Sequence, residues 1–169
     1  MNVVRTKNGC PDDFQQANGR ECWHLSDKSM TFREYLKYCR RHNSSVVSVD
    51  QERIQLDLQR QLFFDWQVSD SVWLGGAKLA NSKEFFWMNN ERVNLRYEQW
   101  NREHSKHLDE DKHSRSPARC MKMMGLEGFQ VGAWAAVNCE DKNRALCVFT
   151  PETDWGGDIQ VNWTCDVSG

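Results

Sequence analysis

The chain has 169 residues, enough for one domain with a sizeable core plus tails. A net charge of −2 with 27% charged residues provides no basic field for nucleic acid, so a nucleic-acid partner is not expected. There is no apolar run of about eighteen residues to insert into a membrane, and Met1-Asn-Val-Val-Arg-Thr-Lys7 lacks the apolar core of a signal peptide.

Seven cysteines point to an oxidising compartment, and an odd number leaves one over. Asn43-Ser-Ser45 and Asn162-Trp-Thr164 are candidate N-glycosylation sequons. Together these favour an extracellular glycoprotein, secreted or the ectodomain of a membrane protein.

Cys10-Pro-Asp-Asp-Phe14 and Asn18-Gly-Arg-Glu-Cys22 frame a hairpin, with Asn18-Gly19 supplying residues that tolerate positive φ. Cys22 to Leu25 reads as a short strand. Thr31-Phe-Arg-Glu34 is a capping box: the threonine oxygen takes an orphan N–H and the glutamate reaches back to the cap. Phe32, Leu36 and Cys39 then fall on one face of a helix running to about His42. Val46-Val-Ser-Val49 is a brief β-branched run, after which Ser48 or Asp50 can cap a second helix. Ile54, Leu58 and Leu62 line its buried face at steps of four, leaving Arg53, Gln55, Asp57 and Gln59 on the wet side. Trp66, beside Phe63 and Phe64, covers the sheet edge or faces a partner.

From here the period changes. Val72-Trp-Leu-Gly-Gly76 reads as a buried strand whose glycines allow close backbone approach. Glu84-Phe-Phe-Trp-Met88 is another, turning through Asn89-Asn90. Met121-Lys-Met-Met124, Gly132-Ala-Trp134 and Arg144 to Phe149 complete the sheet. Two helices early and antiparallel strands late give an α+β domain.

Between Trp100 and Cys120 lies a nearly all-polar stretch, Asn101 to Arg119. Asp109-Glu-Asp111 offers carboxylates, and His104, His107 and His113 offer imidazoles; His104-x-x-His107 can meet a transition metal on a helical turn. A solvated, mixed-charge loop explains the same residues, because Arg102, Lys106, Lys112 and Arg115 neutralise the acids. No metal and no cofactor is expected here. Nor is an enzyme: the chain has no Gly-x-Ser-x-Gly elbow, phosphate loop or His-Glu-x-x-His helix. His24 and His42 have no nucleophile to serve.

The most specific pattern is Cys120, Trp134-Ala-Ala-Val-Asn-Cys139 and Cys147, preceded by Trp73-Leu-Gly-Gly76, Phe86-Trp87-Met-Asn-Asn90 and Tyr97-Glu-Gln-Trp100. Together these resemble the C-type lectin-like domain over roughly residues 10 to 149. The resemblance implies the long form of that fold: two helices, antiparallel sheets, a long loop and an extra N-terminal hairpin. It implies disulfides Cys10–Cys22, Cys39–Cys147 and Cys120–Cys139, with Cys165 unpaired. The partner of Cys165 then lies outside these residues or on another molecule, as an intermolecular disulfide. Trp23, Trp73, Trp87, Trp100 and Trp134 take framework positions, whereas Trp66, Trp155 and Trp163 do not. Residues 1–9 become a tail, and 150–169 an extension or the start of a linker to a further domain.

The family's calcium-binding members carry Trp-Asn-Asp where this chain reads Trp134-Ala135-Ala136. They carry Glu-Pro-Asn or Gln-Pro-Asp in the long loop, which has neither triplet here, and acidic residues where this chain has Ala118-Arg119. A calcium ion needs six to eight oxygens. The resemblance therefore implies calcium-independent binding of an extracellular or cell-surface protein, by a receptor, adhesion molecule or secreted factor. Its binding residues would be Arg102, Lys106, Asp109, Glu110, Asp111, Lys112 and Arg115 of the loop. The alternative is a lectin that takes glycans without the usual calcium site, anionic ones if Arg102, Lys106, Arg115 and Arg119 converge. A third is a structural spacer.

Overall fold

The computed structural model describes residues 9–17, 21–89, 91–93, 117–127 and 130–151. Asn18-Gly19, Trp100, Trp155, Asn162, Trp163 and Cys165 lie outside the described residues.

β1 (Gln15–Gln16) pairs antiparallel with β2 (Cys22–Met30). β2 runs well past Leu25, where sequence reading stops it, because it zips along β8 (Asn143–Phe149) from Cys22 opposite Phe149 to Met30 opposite Asn143. The polar Ser26-Asp27-Lys28 hides this continuation. Ser26 is buried, its Oγ accepting from the Ala145 N–H at 2.8 Å and donating to the Lys28 carbonyl at 2.7 Å. A buried hydroxyl is tolerated only with such partners.

α1 (Phe32–Arg41) starts at the capping box: Glu34 N–H donates to Thr31 Oγ1 at 3.3 Å, and Thr31 N–H donates to Glu34 Oε1 at 2.8 Å. The helix ends in His42, and Asn43 follows in the left-handed region with φ 54°. Its buried face is Phe32, Tyr35 and Cys39; Leu36 is only half-buried. Tyr35 wins the place because its phenol has work there. It donates to the Leu146 carbonyl at 2.9 Å and accepts from the Val47 N–H at 3.0 Å, joining helix, following strand and β8.

β3 (Ser45–Val46) adds to β8. Val47 and Val49 remain in the core, so α2 (Glu52–Leu58) begins late, with Gln51 as its cap and no side-chain capping bond. Ser48 and Asp50 are not the cap. α2 passes directly into a π-helix, Gln59–Asp65, closed by Trp66 N–H donating to the Gln61 carbonyl five residues back. The wider turn brings Phe63 to the core beside Leu58 and Leu62. Leu58 and Leu62 are buried as expected and Ile54 packs half-buried against the core, but Gln55, which a regular helical period puts on the wet side, is buried as well.

β4 (Val72–Lys78), β5 (Phe86–Trp87), β6 (Arg119–Met123) and β7 (Trp134–Val137) complete one sheet in the order β1-β2-β8-β4-β6-β7, with β3 on β8 and β5 on β4. The pairs are antiparallel except β4 with β8, which meet parallel at Val72 and Arg144. The strands between them in sequence supply the long crossover that a parallel pair requires. Residues alternate between two clusters along β4 and β8. Val72, Leu74 and Leu146 face α2 and the π-helix with Trp23, Met121, Met123 and Trp134, whereas Trp73, Ala145 and Cys147 face α1 with Phe32 and Tyr35. A methyl group on Gly75 would meet Val46 Cγ2 and the Val47 carbonyl, so glycine is what lets β4 lie against this segment.

Disulfides join Cys10 to Cys22, Cys39 to Cys147 and Cys120 to Cys139, with Cα separations of 5.6, 5.3 and 5.0 Å. They tie the first hairpin, α1 to β8, and β6 to the turn after β7.

Candidate functional site

β7 is held rigidly from three sides. Trp134 is fully buried, and its indole N–H donates to Gln55 Oε1 at 2.9 Å. The Gln55 amide in turn donates to the Gly132 carbonyl at 2.9 Å, so one buried side chain of α2 orients both the strand and its entry turn. Trp87 meets Trp134 edge-on, ring centroids 5.7 Å apart at 86°, the geometry aromatic quadrupoles favour. On the other side β6 pairs along the strand, Lys122 opposite Ala135 and Met121 opposite Ala136, and Cys120–Cys139 locks the far end.

What this frame presents is apolar. Ala135 is fully buried, and Ala136 packs against the core. A calcium ion takes six to eight oxygen ligands, and two methyl groups offer none. No grouping of three or more His, Cys, Asp or Glu side chains fit to hold a metal exists among the described residues. Ala135 and Ala136 contribute no side-chain oxygen to such a site.

The stem of the polar stretch is cationic instead. Lys78 at the end of β4 is buried, and its ammonium donates to the Pro117 carbonyl at 2.7 Å. It stands opposite Arg119 of β6, two residues before Met121, which faces Ala136. A buried ammonium is costly unless it is hydrogen-bonded. Lys78 therefore fixes where the chain re-enters the sheet at Pro117. The expected ligand-binding residues Arg102, Lys106, Asp109, Glu110, Asp111, Lys112 and Arg115 lie outside the described residues, as do His104, His107 and His113. Of the cationic set Arg102, Lys106, Arg115 and Arg119 considered for anionic glycans, Arg119 alone is among the described residues, half-buried on β6. Lys78 and Gln55 were not legible as site-forming residues, because each reads as an ordinary surface side chain.

A second polar cluster lies at the hairpin. His24 Nδ1 donates to the Asp13 carbonyl at 2.7 Å, which leaves Nε2 to accept from the Tyr38 hydroxyl at 2.6 Å. His42 Nδ1 donates to the Tyr38 carbonyl at 2.9 Å, and its ring stacks on His24, centroids 5.1 Å apart. Burial, then the charges of Asp27 and Asp13, hold the Tyr38 phenol above its usual range, so it stays protonated and donates. This cluster docks the hairpin onto α1, and no nucleophile joins it among the described residues. Asn43, the one sequon asparagine in the described residues, is exposed.

A family model for the lectin C-type domain matches residues 28–149, and the chain belongs to that family. The domain is thus a C-type lectin-like recognition domain, of a kind typically found extracellularly or in ectodomains. Among the described residues, no helix is long and apolar enough to cross a membrane. Solved structures share the fold at low identity. The cow CD23 C-type carbohydrate-recognition domain, determined in the presence of a GlcNAc2Man3 oligosaccharide, is 18% identical, with 89% of this chain and all of that chain covered and a TM-score of 0.63. The mouse scavenger receptor C-type lectin carbohydrate-recognition domain is 18% identical, covering 86% and 99% respectively, with a TM-score of 0.61. Human lithostathine is 20% identical, covering 89% and 96%, with a TM-score of 0.61. No curated protein is matched by the sequence.

Proposed function

We propose that this domain is a calcium-independent recognition module for an extracellular or cell-surface protein, with the polar stretch Asn101–Arg119 as its binding surface. The observation that carries this reading is the pair of methyl groups, Ala135 and Ala136, at the β7 positions where calcium-binding relatives supply oxygens. A rigid sheet then carries a charged loop with no ion to organise, and binding concentrates in loops on rigid scaffolds. Charges of both signs steer and select a partner more than they add raw affinity. Residues 10–149 form the domain in this reading, with 150–169 as an extension.

The test is thermal unfolding in calcium and then in EDTA at matched ionic strength, followed by a screen of cell-surface proteins. A native-state ligand must raise the midpoint by mass action, so equal midpoints are expected. Charge reversal at Asp109, Glu110, Lys112 and Arg115 is expected to weaken capture of the protein found. A calcium-dependent rise of several degrees, or glycan capture that EDTA abolishes, would refute the proposal.

A further inference from the structure

The geometry points to a second interaction surface, a groove at the β1–β2 end of the sheet that takes a basic peptide segment of a partner protein. β7 and the calcium-position alanines lie at the opposite end of the strand order, so this surface is independent of the one above. One wall is the first hairpin, and the other is the segment Trp66–Asp70 that leaves the π-helix. The space between them is about 810 Å³, the size of an ordinary ligand pocket.

Its chemistry is that of a cation receptor. Trp66 is half-buried, packed edge-on against Trp23 with centroids 6.3 Å apart at 88°, and it lines the groove. Asp13, Asp27 and Asp70 are exposed on the rim. Among the described lining residues Arg144 is the one guanidinium, and it is already engaged: its Nε donates to the Ser26 carbonyl at 2.7 Å, and it lies 4.0 Å from Asp70. The imidazole of His24 is held at both nitrogens by Asp13 and Tyr38. Among the described residues, three carboxylates against one guanidinium leave the rim negative. An indole beside carboxylates suits an arginine or lysine side chain, through cation–π attraction and charge-assisted hydrogen bonds.

Charge also separates the occupants that the chain itself could provide. Segment 152–169 carries Glu152, Asp154, Asp158 and Asp166 with no lysine or arginine, so the rim repels it. Segment 1–8 carries Arg5 and Lys7 and is the intramolecular competitor.

The experiment is a calorimetric titration of the full chain with acetylated tetra-arginine amide, tetra-glutamate and lactose, with amide and indole NMR shifts to locate binding. Tetra-arginine is expected to bind, to shift the Trp66 indole resonance, and to weaken as salt rises. Asp13→Asn/Asp27→Asn should lose at least tenfold in affinity. Both changes are on the surface, and asparagine tolerates the left-handed conformation at Asp13, φ 71°. Asp109→Asn/Glu110→Gln/Asp111→Asn should leave the affinity unchanged. Three outcomes overturn the proposal: no Trp66 shift, equal loss in the two variants, or lactose binding in the groove. A fourth is a gain of tenfold or more on deleting Met1–Asn8, which would make that segment the occupant.

Discussion

Replacing Gln55 by leucine removes the joint that orients β7 while nearly preserving volume. In the folded protein Gln55 is 3% exposed and serves two buried groups, the Trp134 indole N–H and the Gly132 carbonyl. A buried polar group left without a partner costs ~1–3 kcal/mol, and two are orphaned at once. The added apolar side chain returns ~1 kcal/mol by burial. The net expectation is a loss of ~1–5 kcal/mol, a large part of the ~5–15 kcal/mol that holds a domain together. For a chain of this size that lowers the midpoint by about 2–20 °C. Urea unfolding with the disulfides intact measures it, and the denaturant slope should be unchanged if only stability moves. Gln51→Leu is the control, since Gln51 is exposed and caps α2 with no side-chain bond, and should stay within ~0.5 kcal/mol. A loss below ~1 kcal/mol in Gln55→Leu would refute the reasoning, because the two orphaned groups would then have other partners.

Gly75→Ala forces a methyl onto Val46 Cγ2 and the Val47 carbonyl, 2.8 Å away, and should cost ~1–3 kcal/mol in the same unfolding assay. Removing the Cys39–Cys147 bridge as a double alanine variant releases a loop spanning 108 positions; by loop-closure entropy the loss is ~4–5 kcal/mol, seen as a lower midpoint under non-reducing conditions. Burial pushes the Tyr35 phenol well above its ordinary value of 10.0, so above that pH the unfolded chain loses its proton first and stability falls as pH rises. Tyr35→Phe should lose this alkaline slope and, near neutrality, ~1–3 kcal/mol for the unpaired Val47 N–H, as read from midpoints across the range. Hydrogen bonds from Thr31 hold Glu34 below its ordinary 4.5, so its contribution is present above that pH and fades as pH falls through the folded value. Glu34→Gln keeps a side chain that can close the capping box, and should flatten this acid dependence.

The local signals were legible in the sequence because their physics is local. The capping box at Thr31 and Glu34 needs only neighbours on one turn. The cysteine spacing and the tryptophans at 73, 87 and 134 mark a framework that the resemblance could identify before any contact was known. The two alanines at 135 and 136 likewise carry their meaning in composition, since a methyl group has no lone pair wherever it lies. The remainder came from partners distant in the chain. Gln55 was placed on the wet side and Ser26 lies just past the expected strand, yet each is buried because tertiary structure brings it a partner: Ala145 for Ser26, and Gly132 and Trp134, 77 and 79 positions away, for Gln55. Tyr35 displaced Leu36 from the buried face because Leu146 and Val47 supplied the hydrogen bonds that a buried phenol requires. The π-helix kept Leu62 in the core with Leu58 and added Phe63, which a regular period had not assigned to that face. The groove has no sequence signature, since its walls at residues 13–15, 23–27 and 66–70 meet only after β2 has paired with β8 and the π-helix has closed on Trp23. A side chain's own chemistry is written in the sequence; whether its polar atoms face water or another residue is decided by which strands pair.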